Sequence, residues 1–364
     1  MRFIANINSL TNMSYMYNGC TNLNGQIYCG NNVTNMAYAY ANCTNLTSSP
    51  VSGPNVINMS HAFYNCLKQM GMAACGDNVT DLSYAYYNTR LHGDVAIGPN
   101  VTNLAYAYWN CRSLTAGSPL CPENVTNMNN AFAECQSQYF NDPVACGNKV
   151  IDMAYAYHNC HYVTGSPKCG PNVNTLDHTY YGCANLTGSP VCGNNVTSMN
   201  YTYWNCRMLT GSPVCGPNVT DMSGAYCTCW GLTGSPVCGP NVTNMTFSYC
   251  YCNKITGTPA CGSKVVNMYS TYTNCHNISG SPVCGANVTN MSNTYYQCYN
   301  LTGSPACGNN VTNMVNAYAY CGGLTGDPVC GPNVTDMAGA YYQCASLTGN
   351  PACGPNVTNK LHAY

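Results

Sequence analysis

With 364 residues the chain is long enough for two or three globular domains, yet only 6% of it is charged, against about 25% in an average soluble protein. A formal net charge of -1 excludes a basic footprint for nucleic acid and leaves no strong steering field. No apolar run approaches the ~18 residues of a membrane span, so no membrane insertion is expected, and the opening MRFIANINSL is too weakly basic and apolar for a secretory signal peptide.

Residues 1–12 read as a short lead-in. From there a phrase close to N-V-T-N-M recurs, with its Met or Leu as an anchor. The anchors are Met13, Met36, Met59, Leu82, Leu104, Met128, Met153, Leu176, Met199, Met222, Met245, Met268, Met291, Met314 and Met337. Every step from Leu176 to Lys360 is 23 residues; between Leu82 and Met153 the steps are 22, 24 and 25. So regular a period predicts a single repeat solenoid of about fifteen coils over 13–359, with 360–364 opening an incomplete sixteenth.

Comparing equivalent positions separates inside from outside. Four residues after the anchor stands an aromatic column (Tyr17, Tyr40, Phe63, Tyr86 and onward), ten after it mostly Leu, and twenty after it mostly Val. With the anchor, these form the expected core. The column two after the anchor (Tyr38, His61, Asn130, Gly224, Ser270) is expected to face water. T-G-S-P and C-G-P-N place two tight turns in each coil, and Val-Cys and Val-Thr-Asn suit short parallel strands. The fold class is thus a mainly β solenoid with coils about 4.8 Å apart, a rod of roughly 70 Å in which equivalent Asn side chains form ladders.

Asn32-Val33-Thr34-Asn35-Met36, followed by Tyr40, Asn42-Cys43-Thr44 and Leu46, resembles the BspA-like leucine-rich repeats, above all the subgroup first noted in mycoplasma surface proteins. The resemblance covers roughly residues 7–364. It fails in the second half of each coil, where T-G-S-P-V-C-G-P replaces the leucine-rich strand. It implies a surface-displayed protein, extracellular on a cell envelope or virion, that binds host cells, matrix or other microbes. Similar repeats in bacteriophage proteins would fit the absence of a recognisable signal.

Cysteine supplies 29 residues in two orderly columns, seven and about sixteen after the anchor, broken only at Thr89, Ser52 and the coil containing Ile97. One reading is a disulfide within each coil: Cys20 with Cys29, Cys66 with Cys75, Cys183 with Cys192, Cys206 with Cys215, Cys344 with Cys353. The other is two stacks of free, partly buried thiols. Cys227 and Cys250, five after adjacent anchors on the expected outward side, lie one coil apart and are predicted to bond to each other. A zinc site from Cys227, Cys229, Cys250 and Cys252 fits poorly, because alternate residues face opposite ways. No metal or cofactor is expected.

Candidate ligand contacts are the aromatics five after the anchor: Tyr64, Tyr87, Trp109, His158, Tyr181, Trp204, Tyr296 and Tyr342. Such rings suit stacking on a glycan or gripping a host or surface protein; alternatively they cover neighbouring coils. His61, His158, His161 and His178 read as substitutions in outward columns rather than ligands. No nucleophile, base and orienting group occur together, so no enzyme is expected. Asn-x-Thr sequons such as Asn78-Val79-Thr80 are built into the repeat and read as a hydrogen-bonding column. The Thr column gives only a weak match to ice binding. Neither end carries a polar capping unit, so the alternative function is a rod or filament subunit associating head to tail as a homo-oligomer.

Overall fold

The computed structural model describes residues 9–114, 121–141, 146–349 and 354–364. They fall in two compact units, Met1–Thr175 with Thr179–Leu186, and Leu176–His178 with Thr187–Tyr364. Each unit is a stack of coils. In unit 1 one residue per coil, immediately before the anchor, forms parallel bridges from Asn12 to Asn35, Asn58, Asp81, Asn103, Asn127, Asp152 and Thr175. In unit 2 the same ladder runs from Ser198 to Asn359.

Parallel pairing is shorter than expected. Among the described residues the only strands longer than a single bridge are β1 (Ala73–Ala74) and β2 (Val95–Ala96), paired in parallel. The reason is the segment after the anchor. In the coil of Met36, the N–H groups of Met36, Tyr38, Tyr40 and Asn42 donate to carbonyls of Asn58, Ser60, Ala62 and Tyr64 in the next coil at 2.7–3.0 Å. The intervening N–H groups of Ala39, Ala41 and Cys43 close turns onto Met36, Tyr38 and Tyr40 instead. Every backbone donor is satisfied, but alternate ones turn back on their own coil, so no extended strand can form.

These turns need left-handed residues two and six after the anchor. The sixth is often Asn, which tolerates that region (Asn42 φ 60°, Asn65 φ 57°, Asn88 φ 56°). The second holds Tyr38, His61, Tyr84 and Tyr106 at φ 55–58°, a conformation disfavoured for bulky side chains by about 1–2 kcal/mol. Asn or Asp before the anchor supports the first turn by accepting from the backbone two residues on, as Asn35 Oδ1 does from Ala37 N at 2.9 Å.

The core columns are as the pattern requires: Val33, Met36, Leu46, Val219 and Met222 are fully buried. The inner aromatics stack one per coil. In unit 1 they run from Tyr17 to Tyr180 with centroids 5.1–5.9 Å apart. In unit 2 they run from Tyr203 to Tyr364 at 5.3–6.2 Å. A buried phenol needs a partner, and each of several reaches the residue twelve places back: Tyr203 Oη donates to Val191 O at 2.8 Å and accepts from Val191 N at 3.1 Å. In the 22-residue step the register slips, and Tyr108 Oη is buried without a partner.

Candidate functional site

The cysteine columns turn out to be hydrogen-bonding devices. Sulfurs of the first column donate to the carbonyl of the inner aromatic one coil earlier: Cys66 to Tyr40 at 3.1 Å, Cys183 to Tyr157 at 3.1 Å, Cys229 to Tyr203 at 3.0 Å and Cys344 to Tyr318 at 2.9 Å. Sulfurs of the second column face a turn glycine of the next coil and accept its N–H, as Cys75 does from Gly98 at 3.1 Å and Cys307 from Gly331 at 3.2 Å. The two columns therefore point to different partners, and the expected bonds within coils do not form. Cys20, Cys29, Cys66, Cys75, Cys183, Cys192, Cys206, Cys215 and Cys344 carry no disulfide, while Cys353 lies outside the described residues. Ser52 keeps its column's role, accepting from Gly76 N at 2.9 Å, whereas Thr89 donates to Tyr86 O of its own coil at 2.9 Å.

Burial raises the thiols of Cys66 and Cys183 above their ordinary value of 9.0, Cys111 to about 11 and Cys252 to about 12. Such groups stay protonated at neutral pH and are poor nucleophiles and metal ligands. Among the described residues no three His, Cys, Asp or Glu side chains gather as a metal site. Among the described residues the one disulfide is Cys227–Cys250, across adjacent coils with Cα atoms 4.6 Å apart. It is buried rather than outward, each residue being at most 2% exposed. Closing a loop over 23 residues contributes about 3 kcal/mol in the chain-entropy account. Replacing both with Ala is expected to lower unfolding stability by about that amount in denaturant melts, and adding reductant to the variant should change nothing further.

All eight candidate contact residues are half-buried. In unit 1 they stack on one another: Tyr64 on Tyr87 at 4.8 Å, Tyr87 on Trp109 at 4.4 Å and His158 on Tyr181 at 4.8 Å. A second ladder beside the first runs Tyr15, Tyr38, His61, Tyr84, Tyr106 at 4.2–4.7 Å, so the column expected to face water is a half-covered stack of rings. Stacked rings cover each other's faces and present edges. His61 lies between two tyrosines with its pKa lowered by burial. His158 meets Glu134 at 3.3 Å, yet burial still lowers it. His161 contacts Gly182 O at 2.7 Å and His178 stacks on Tyr201 at 5.0 Å.

Unit 2 differs because glycine interrupts the second-residue column. At Gly224 the gap is filled: a Cβ there would meet the rings of Tyr201 at 2.8 Å and Trp204 at 3.0 Å. Trp204 leans across it to an edge contact with Phe247 at 6.3 Å and is no free platform. At Gly339 no ring crosses, and the space a Cβ would take is met by Oδ1 of Asn316. Tyr296 and Tyr320 meet edge to face at 5.5 Å and 79°, Tyr320 and Tyr342 at 5.5 Å and 88°. With Asn316, Gly339 and His362 they enclose a cavity of about 420 Å³. Sequence reading found Tyr296 and Tyr342 but missed Tyr320, which stands six after its anchor in a column where Asn is the commonest residue. It also missed Trp230, exposed and covered on one face by the Arg207 guanidinium at 4.6 Å.

Stacked coils of nearly constant period, closed around aliphatic and aromatic columns and bridged in parallel at the residue before the anchor, define a leucine-rich-repeat solenoid. Over part of the chain the repeats are of the BspA-like leucine-rich type. The family described as the BspA type leucine rich repeat region matches residues 82–210 in six copies. The family described as mycoplasma protein of unknown function, DUF285, matches residues 4–91. Among solved structures the fold is similar to a leucine-rich repeat protein from Bacteroides ovatus, with TM-score 0.62, 16% identity, and coverage of 86% of this chain and 82% of that one. YopM from Yersinia enterocolitica is more distant, with TM-score 0.45, 12% identity, and coverage of 93% and 73%. No curated protein matches the sequence.

Proposed function

We propose that the protein is a non-catalytic adhesion solenoid, displayed on a cell envelope or virion, that grips neutral glycan in the recess formed by Tyr296, Tyr320 and Tyr342. The observation that carries this reading is the edge-to-face setting of those rings, which leaves aromatic surface turned into a cavity instead of against a neighbouring ring. A volume of about 420 Å³ is of the size that takes a small ligand. Asn316 and His362 bring polar groups to its wall, and Gly339 keeps its floor low: a Cβ there would collide with Oδ1 of Asn316. Aromatic surface framed by amide and imidazole suits the apolar face and hydroxyl rim of a sugar. Surface display follows from the family resemblance.

Glycan-array binding followed by affinity titration tests the reading. Tyr320→Ala with Tyr342→Ala is expected to weaken binding at least tenfold, whereas Trp109→Ala, which removes a ring stacked on Tyr87 in the other unit, leaves it unchanged. A wild-type chain that binds no glycan on a broad array, or whose binding follows Trp109 instead, would sink the proposal.

A further inference from the structure

Unit 1 carries a second concave feature of different chemistry. A groove of about 760 Å³ runs across successive coils between a rank of asparagines, Asn55, Asn78, Asn100 and Asn124, and a rank of threonines that includes Thr80 and Thr102. Both ranks come from Asn-Val-Thr, whose Val is buried, so the flanking side chains face outward together.

The donors of this groove are already committed inward. The Nδ2 groups of Asn55, Asn78, Asn100 and Asn124 donate to backbone carbonyls of Asn31, Pro54, Asp77 and Pro99 at 2.8–3.0 Å. The hydroxyls of Thr80 and Thr102 donate to Ile57 O at 3.4 Å and Thr80 O at 3.1 Å. What remains for a ligand is a row of acceptors: amide Oδ1 atoms on one side and threonine Oγ1 lone pairs on the other. A complementary ligand brings donors and few acceptors of its own.

The chain itself shows which donor fits. Where a coil carries Lys in place of the column's Asn, the ammonium sits on the amide oxygen one coil earlier. Lys149 Nζ donates to Asn124 Oδ1 at 2.8 Å, at the end of this groove, and Lys264 Nζ to Asn241 Oδ1 at 2.7 Å in unit 2. Lys68 does the same to Asn45 Oδ1 at 2.7 Å in a different column. In all three the receiving Asn has its Nδ2 on the preceding coil, at 2.8–3.0 Å.

The geometry points to this groove as a seat for a linear polyamine, one ammonium per amide oxygen along the row. Nitrogens separated by three methylenes stand about 5 Å apart, close to the inter-coil spacing, so successive ammonium groups meet successive asparagines. The exposed carboxylates of Asp77 and Glu123, next to Asn78 and Asn124 in the chain, add attraction that salt will screen.

Calorimetric or NMR titration of the full chain with bis(3-aminopropyl)amine tests this. Saturable binding is expected, weakened at least tenfold when both terminal amines of the probe are acetylated. Asn100→Lys reproduces a residue the column already accepts at Lys149 and Lys264, so it should fold, place its own ammonium on Asn78, and weaken binding at least tenfold. Asp94→Asn makes the same change in charge on the same coil away from the groove and is expected to leave the affinity unchanged. Absence of saturable binding, equal binding of the acetylated probe, or equal loss in the two variants would overturn the proposal. The glycan recess lies in the other unit, so the two readings fail separately.

Discussion

Raising the pH from 8 to 11 is expected to unfold the protein in one steep transition, with full stability retained below about pH 9. The cause is the first cysteine column. Cys111 and Cys252 are held near 11 and 12, and Cys135, Cys229, Cys275 and Cys298 lie well above their ordinary value of 9.0, in each case mainly through burial. Above pH 9 the unfolded chain releases these protons and the folded chain keeps them. The unfolded state then binds fewer protons, so stability falls as pH rises. Each thiol contributes about 1.4 kcal/mol per pH unit until its folded pKa is reached. Several acting together exceed a typical stability of about 5–15 kcal/mol before pH 11. Buried tyrosines such as Tyr249 and Tyr272, also raised by burial, steepen the fall above pH 10. Circular dichroism recorded with tyrosinate absorbance during an anaerobic pH titration checks this. Native dichroism persisting to pH 11 would show that the columns do not hold buried thiols; a chain with the within-coil disulfides would behave in that way.

The anchor, aromatic, Leu and Val columns were legible in the sequence because burial selects the same side chain at every turn of a constant period, and the period was visible. Residues whose role depends on direction were not. Spacing along the chain placed Cys66 and Cys75 in one coil but could not say that one sulfur faces Tyr40 O and the other Gly98 N. The available signal was chemical: where the second column first breaks, Ser52 is a hydroxyl that takes over the same hydrogen bond, which a lost disulfide would not require. The left-handed second residue was hidden because Tyr38 and Tyr84 carry no side-chain mark of positive φ. Ring orientation was equally invisible. Tyr87 and Tyr342 occupy the same column, yet one is stacked and the other stands edge-on. The gaps that decide this, Gly224 and Gly339, could be seen in the sequence, but which one a neighbouring ring fills depends on Trp204 reaching across.

Tyr272→Ala is expected to be the most damaging single substitution in unit 2, and its comparison with Phe separates ring from phenol. The ring is fully buried between Tyr249 and Tyr295, both with centroids at 5.5 Å. Truncation removes that packing and leaves a cavity, which costs about 3–5 kcal/mol for large aromatics in cores. Tyr272→Phe keeps the stack but strands both polar groups of Ala260, whose carbonyl accepts from the phenol at 2.6 Å and whose N–H donates to it at 3.0 Å. An unsatisfied buried group costs about 1–3 kcal/mol, so Phe should fall between Ala and wild type. Phe63 and Phe132 show that the column accepts a ring without the hydroxyl. Tyr108→Phe supplies the contrast, because its hydroxyl is buried without a partner and its removal is expected to be neutral or stabilising. Each coil contacts chiefly its neighbours, so the loss at Tyr272 should appear first as local opening around that coil. Hydrogen exchange at Tyr249, Tyr272 and Tyr295 measures it. Uniform acceleration across unit 2 would instead show that the stack unfolds as one cooperative body, with inter-coil coupling stronger than the cost of a missing ring.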